Sequence, residues 1–265
     1  DALDAMVQQD VQKGLRPWVL VASAGSTDTG AVDPLPQLAD IATNHGLWFH
    51  VDAAYGGAFA LCDEGRRKLA GIERSDSVVF DPHKGLFLPW GTGVVLVKDR
   101  RAMVQAHAYQ ASYLNDFSDQ LGGEDPSPAD MSAELSRPFR GLRVWLTLQL
   151  VGVVAIRAAL EEKLVLAQYF HQQLQAWPDF EVGPAPDLSV VTFRWVPKSG
   201  DADAANLRLV DAVQHDGRIY LSSTVLDGRV TLRLAILNAR THLLHIDRAL
   251  HVLRTLSDAL AKPAD

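Results

Sequence analysis

The chain has 265 residues, which is room for one large domain or two modest ones. Hydrophobic residues make up 48% and charged residues 22%, a balance that supplies a core and excludes a largely disordered chain. The net charge of −7 comes without any long basic run, so nucleic acid is a poor partner, and the single cysteine, Cys62, excludes an internal disulfide.

The opening DALDAMVQQD reads as a helix in mid-course, with Ala2, Ala5, Met6 and Val7 on its apolar side. It has neither a basic n-region nor an apolar h-region, so no signal peptide is expected. Later apolar stretches are broken by charges well short of a membrane span, so no membrane partner is expected either. Together with one cysteine, this suits a reducing, cytoplasmic setting. Residues 18–24 (WVLVASA) form an apolar strand pattern, followed by a loop at 25–30. Asp33 as N-cap and Pro34 in the first turn open a helix that runs to about His45 and stops at Gly46. Further strands are predicted at 47–51, 77–80 and 93–97, and together they read as a parallel sheet covered on both faces.

Residues 108–138 are polar and loop-like, and a stretch of that length in a compact protein is commonly functional. One long helix is predicted over 141–177. Strands at 189–195, 218–222 and 229–234, with helices at 204–215 and 242–261, make a small α+β unit. The expected organisation is therefore 1–177 and 178–265, with the boundary near Pro178.

Three strands run into polar signatures: Gly25-Ser26-Thr27, Asp52-Ala53-Ala54-Tyr55 and Asp81-Pro82-His83-Lys84. Ligands of open α/β sheets bind beyond the carboxyl ends of strands, so a hydroxyl, a carboxylate and a His-Lys pair converge there. Pyridoxal phosphate needs such a set. Its aldehyde forms an imine with a lysine, and a carboxylate beside the ring nitrogen favours the protonated, electron-withdrawing form. Lys84 suits the first role and Asp52 the second. Taken singly, each has an ordinary reading, Asp52 as a cap and Lys84 as a solvated cation, and Gly91-Thr92-Gly93 reads as a tight turn rather than a phosphate loop. Cys62 reads as a small buried hydrophobe. Arg233 and Arg240 read as structural cations that also have the option of facing substrate. His242 and His245 read as surface residues rather than metal ligands.

HVDAAYGG (50–57) and DPHKGLFLPWGTG (81–93), with SYLND, ELSRPFRGLRVW and LRLAILNARTH further on, resemble the group II pyridoxal-phosphate-dependent amino-acid decarboxylases. The resemblance is to the carboxy-terminal portion of that family. It implies an aspartate-aminotransferase-like (fold type I) α/β architecture: part of the cofactor-binding large domain, then a small α+β domain. It also implies decarboxylation of an L-amino acid through a Lys84 aldimine and a quinonoid intermediate. Asp52 would pair with the pyridine nitrogen, Ala54 would pack under the ring, and Thr27 and His83 would lie beside the cofactor. Tyr113 would hand a proton to the substrate α-carbon. Leu135-Ser136 would meet the cofactor phosphate of a neighbouring subunit, which implies a homodimer with shared sites. Asp81 departs from members that carry Asn there, and a carboxylate suits a phosphate dianion only if it faces away. The family's amino-terminal region, with its phosphate-gripping loop and ring-stacking aromatic, is not seen in this sequence. Transamination or aldehyde formation on the same scaffold, and a non-catalytic chain that needs a partner, stay open.

Overall fold

A computed structural model of the chain describes residues 2–107 and 128–262. Helix α1 (Ala2–Gln12) leads into β1 (Val19–Ser23), α2 (Leu35–His45) and β2 (Trp48–Asp52). The short α3 (Asp63–Lys68), β3 (Ser77–Phe80), the single turn α4 (Pro82–Gly85), β4 (Val94–Val97) and α5 (Arg100–His107) follow. Two further helices are α6 (Gly141–Val151) and α7 (Val153–Gln175). The last part holds β5 (Phe180–Val182), β6 (Val190–Trp195), α8 (Ala202–Asp216), β7 (Ser222–Leu226), β8 (Arg229–Ala235) and α9 (Leu243–Leu260).

The first sheet has the order β1-β2-β3-β4. β1, β2 and β3 are mutually parallel, in register Ser23↔Asp52↔Val79. The all-parallel expectation fails at β4, which pairs antiparallel to β3 through Phe80↔Val94 and Ser77↔Val97. A parallel return needs a crossover, usually a full helix, to carry the chain back to the starting end. Residues 81–93 contain only the single turn α4 and a bend at Gly91 (φ 91°), so the chain re-enters the sheet from the end it left.

Two other expectations shift. The helix predicted over 141–177 is two helices meeting at 92°. The break is Gly152, whose φ of 83° and ψ of 151° lie where only glycine sits comfortably. Asp33 does not cap α2; its carboxylate accepts the Ser23 N–H at 2.7 Å and ties the 25–33 loop back onto β1. The position before α2 is Pro34, and Gly46 ends the helix in the left-handed conformation as expected.

The second sheet, β5-β6-β8-β7, is antiparallel throughout. β5 had no forecast, and β7 lies later than the expected 218–222. Asp227 (φ 50°) and Gly228 (φ 74°) make the two-residue turn that joins β7 to β8. An Asp-Gly pair between two runs rich in β-branched residues is a hairpin signal that was available in the sequence.

Each sheet has its own core, and α7 contributes to both. Ile156, Leu160 and Leu164 join Phe49, Val51, Phe59 and Leu35 under the first sheet. Leu166, Phe170 and Leu174 join Phe193, Trp195, Leu209 and Leu253 under the second. Cys62 is fully buried, and burial pushes its thiol up to about 11, which suits a packing role rather than a nucleophile. Among the described residues no single helix is long and apolar enough to cross a membrane.

Candidate active site

The carboxyl ends of β2 and β3 are fastened to each other just where the two signatures begin. Ala53 N–H donates to Val79 O at 2.9 Å, and Asp81 N–H donates to Ala54 O at 3.2 Å. Small residues let these segments approach. A Cβ on Gly57 would sit 2.6 Å from the Phe80 Cβ, and one on Gly85 would sit 2.4 Å from the Ala58 Cβ. Gly57 and Gly85 therefore let the segments pack more closely than any side chain would allow.

Pro82, fixed in φ, starts α4 directly after β3, and the turn presents His83 and Lys84 from one short rigid step. Lys84 is partly exposed, and its Nζ lies 2.9 Å from Asp81 Oδ2. His83 Nδ1 lies 2.7 Å from the Thr92 carbonyl oxygen. A carbonyl only accepts, so Nδ1 is the donor of this bond. The other ring nitrogen, Nε2, is 3.8 Å from the same Asp81 Oδ2.

Lys84 and His83 line a cavity of about 460 Å³ together with Phe87, Leu88, Leu237 and Arg240. Phe87 holds φ at 58°, a conformation that costs a bulky side chain on the order of 1–3 kcal/mol. Its neighbours Leu86 and Leu88 are buried and hold it there. Strain of this kind gathers at functional sites.

Asp52 closes β2 with its carboxylate exposed, and Oδ1 accepts the Ala54 N–H at 3.0 Å. Ala54 is half-buried beside it. Thr27 lies exposed in the turn after β1, and its carbonyl accepts from Arg233 Nη2 at 2.6 Å. Ser136 is exposed in the segment that leads into α6. Tyr113 lies outside the described residues.

Two residues of this region matter more than their sequence context suggested. Arg233, on β8, also donates to Asp28 O at 3.1 Å and to Ser222 Oγ at 3.1 Å, so it pins the Thr27 turn to the second sheet. Its guanidinium is committed to structure in this state. Tyr55 shares a 2.7 Å hydrogen bond with Ser189 Oγ, and burial, partly offset by that bond and by Arg233, pushes its phenol up to about 12. Both links span more than a hundred positions of sequence, and no local pattern encodes them. His242 is not idle either: its Nδ1 lies 2.7 Å from Glu162 Oε1, a surface pair at the start of α9.

Comparison with known proteins adds a second line of evidence. Residues 1–196 match the family model described as pyridoxal-dependent decarboxylase conserved domain. The aromatic-L-amino-acid decarboxylase of Bacillus atrophaeus is 36% identical over 244 residues, which cover 91% of this chain and 51% of that protein. The phenylacetaldehyde synthase of Arabidopsis thaliana is 32% identical over 257 residues, 96% of this chain and 52% of that one. Among solved structures, Oryza sativa TDC with PLP and tryptamine matches with a TM-score of 0.92 at 30% identity, over 98% of this chain and 54% of that chain. The chain spans about half the length of the relatives it matches.

Proposed function

Since the chain belongs to the pyridoxal-dependent decarboxylase family, we propose that it carries the lysine-bearing part of a carboxy-lyase site that takes carbon dioxide from an L-amino acid, with pyridoxal phosphate as cofactor. The observation that carries the reading is Lys84. It lines an open cavity at the carboxyl end of β3, one strand away from the exposed carboxylate of Asp52. These residues fit pyridoxal phosphate: an amine for its aldehyde, a carboxylate for its ring nitrogen and apolar walls for its ring. Bound there, the cofactor supplies an electron sink for the pair left behind when carbon dioxide departs.

The chain's own residues supply the rest. Lys84 Nζ would hold the cofactor through its aldehyde carbon. Asp52 keeps a proton on the ring nitrogen by opposite charge. His83 is fixed in orientation by its Nδ1–H bond to the Thr92 carbonyl, beside Lys84. Tyr113 is proposed as the acid that delivers a proton to the α-carbon. The apolar walls formed by Phe87, Leu88 and Leu237, with the aromatic substrates named for the relatives, support an aromatic amino acid as substrate. A homodimer in which Ser136 reaches the neighbouring site belongs to the same proposal. It is supported by the apolar side chains left at the surface around that segment: Leu135 is 57% exposed, Phe139 78% and Leu150 82%.

A second reading, aldehyde formation, is favoured by one observation, the similarity to phenylacetaldehyde synthase. Product analysis separates the two. With pyridoxal phosphate and aromatic L-amino acids, the expected products are carbon dioxide and the amine in equal amounts. Aldehyde, ammonia and hydrogen peroxide, with dioxygen consumed, would favour the second reading, and a keto acid would mean transamination. Tyr113→Phe is expected to cut amine yield by on the order of 10²-fold and to raise the share of the other products. An unchanged product ratio would remove Tyr113 from the proton transfer.

A further inference from the structure

The least expected group at the site is Asp81. A carboxylate beside a phosphate-bearing cofactor is unfavourable unless a cation holds it. Asp81 lies at the base of the Lys84 turn with its side chain only 20% exposed, which weakens solvent screening. Its position is fixed from both sides. Its N–H is bonded to Ala54 O, and its own carbonyl accepts the Lys84 N–H at 2.9 Å. A Cβ at position 93 would fall 3.3 Å from Asp81 Oδ1, so Gly93 leaves the room in which that oxygen lies. The other oxygen, Oδ2, faces Lys84 Nζ at 2.9 Å and His83 Nε2 at 3.8 Å. Arg240 lines the same cavity as Lys84 and His83.

We propose that Asp81 is the dedicated counter-ion of Lys84 Nζ, both while the amine is free and once it is bonded to the cofactor. The charge balance favours one partner for both states. A protonated amine that condenses with an aldehyde gives a protonated C=N nitrogen and one water: the C=O bond is replaced by C=N, two amine protons leave with the oxygen, and one proton stays on nitrogen. The nitrogen carries one positive charge before and after, so a fixed carboxylate at hydrogen-bond distance serves both. Asp81 is thus a positioning residue for Lys84, and its charge is directed to the lysine rather than to the phosphate. The second half of the proposal, the bonded state, rests on the functional reading above; the first half does not.

The test begins with the chain free of cofactor. A brief pulse of acetic anhydride, followed by mass spectrometry, gives the acetylation rate of each lysine, with Lys98 and Lys68 as internal references. Lys68 is paired with Asp187 rather than with any residue of the Lys84 turn. Asp81→Asn keeps the shape and removes the charge. It is expected to acetylate Lys84 roughly two- to fivefold faster than the parent chain, the range for a partly exposed ion pair, with the references unchanged. Equal Lys84 rates in the two chains would overturn the counter-ion. Gly93→Ala, which crowds Oδ1 and leaves the charge in place, is expected to shift the Lys84 rate in the same direction. In a separate arm, pyridoxal phosphate followed by borohydride reports whether Lys84 bonds the cofactor at all. A parent chain that takes no label there refutes the functional reading and the bonded half of the proposal, while the acetylation rates still decide the free half. A parent chain that is labelled, with Asp81→Asn losing label several-fold, supports the bonded half; equal labelling overturns it.

Discussion

At the scale of single residues, the site is a set of short-range constraints around Lys84. Proline fixes the entry to the turn, a carbonyl fixes the orientation of His83, and Asp81 holds the amine. The residue types and their order were legible, because they reflect what the chemistry needs; the contacts among them were not. Nor were the links of Arg233 and Tyr55, since their partners Thr27, Asp28 and Ser189 are distant in sequence. Tyr55 offers a test of such a link. Tyr55→Phe removes its bond to Ser189 and is expected to cost about 1–2 kcal/mol, read as a lower midpoint in chemical unfolding. The phenol is raised in the folded chain, from an ordinary 10.0 to about 12, and burial is the main cause. Its stabilising contribution is therefore whole below pH 10 and is lost as pH climbs from there through about 12. The stability of the parent chain should fall more steeply over that window than that of Tyr55→Phe. Equal slopes would mean that Tyr55 is not the buried phenol described.

At the scale of elements, the strands could be read from runs of β-branched and aromatic residues, but their direction could not. Direction depends on what the connection does in space, and the 81–93 connection turns back because it is occupied by the site. The break between α6 and α7 shows the same limit. The residues on both sides have helical character, and one glycine in a non-helical conformation divides them. No neighbouring atom lies within 4 Å of a Cβ placed on Gly152, so Gly152→Ala should be penalised by backbone strain alone, about 1–3 kcal/mol. Gly85→Ala differs in kind: its Cβ would overlap Ala58, so α4 must shift. Thermal unfolding and cofactor labelling separate the two. Gly152→Ala should lower stability and leave Lys84 labelling intact, whereas Gly85→Ala should reduce labelling as well. The short β5 escaped notice because three residues after a proline give no measurable periodicity.

At the scale of the whole chain, two sheets with separate cores are joined along α7. The small sheet is tied down by carboxylate–arginine pairs. Asp203 is held below the usual carboxylate range chiefly by its bond from Arg194, and Glu181 likewise by Arg229. Depressed carboxyls give stability that is present above their unfolded values, 3.8 and 4.5, and disappears as pH falls through the lower folded ones. Stability of the second sheet is therefore expected to drop below about pH 4. Near-ultraviolet circular dichroism of Trp195, buried in β6, would follow it; a signal unchanged down to pH 2 would contradict the assignment.

The most direct measurement is the site of covalent labelling. The chain is incubated with pyridoxal phosphate, reduced with borohydride, digested and mapped by mass spectrometry beside Lys84→Ala. The expected result is one dominant pyridoxyl adduct on the peptide that carries Lys84, absent from the variant. Adducts scattered over other lysines, or equal in the two chains, would contradict the assignment of Lys84 as the lysine that holds the cofactor.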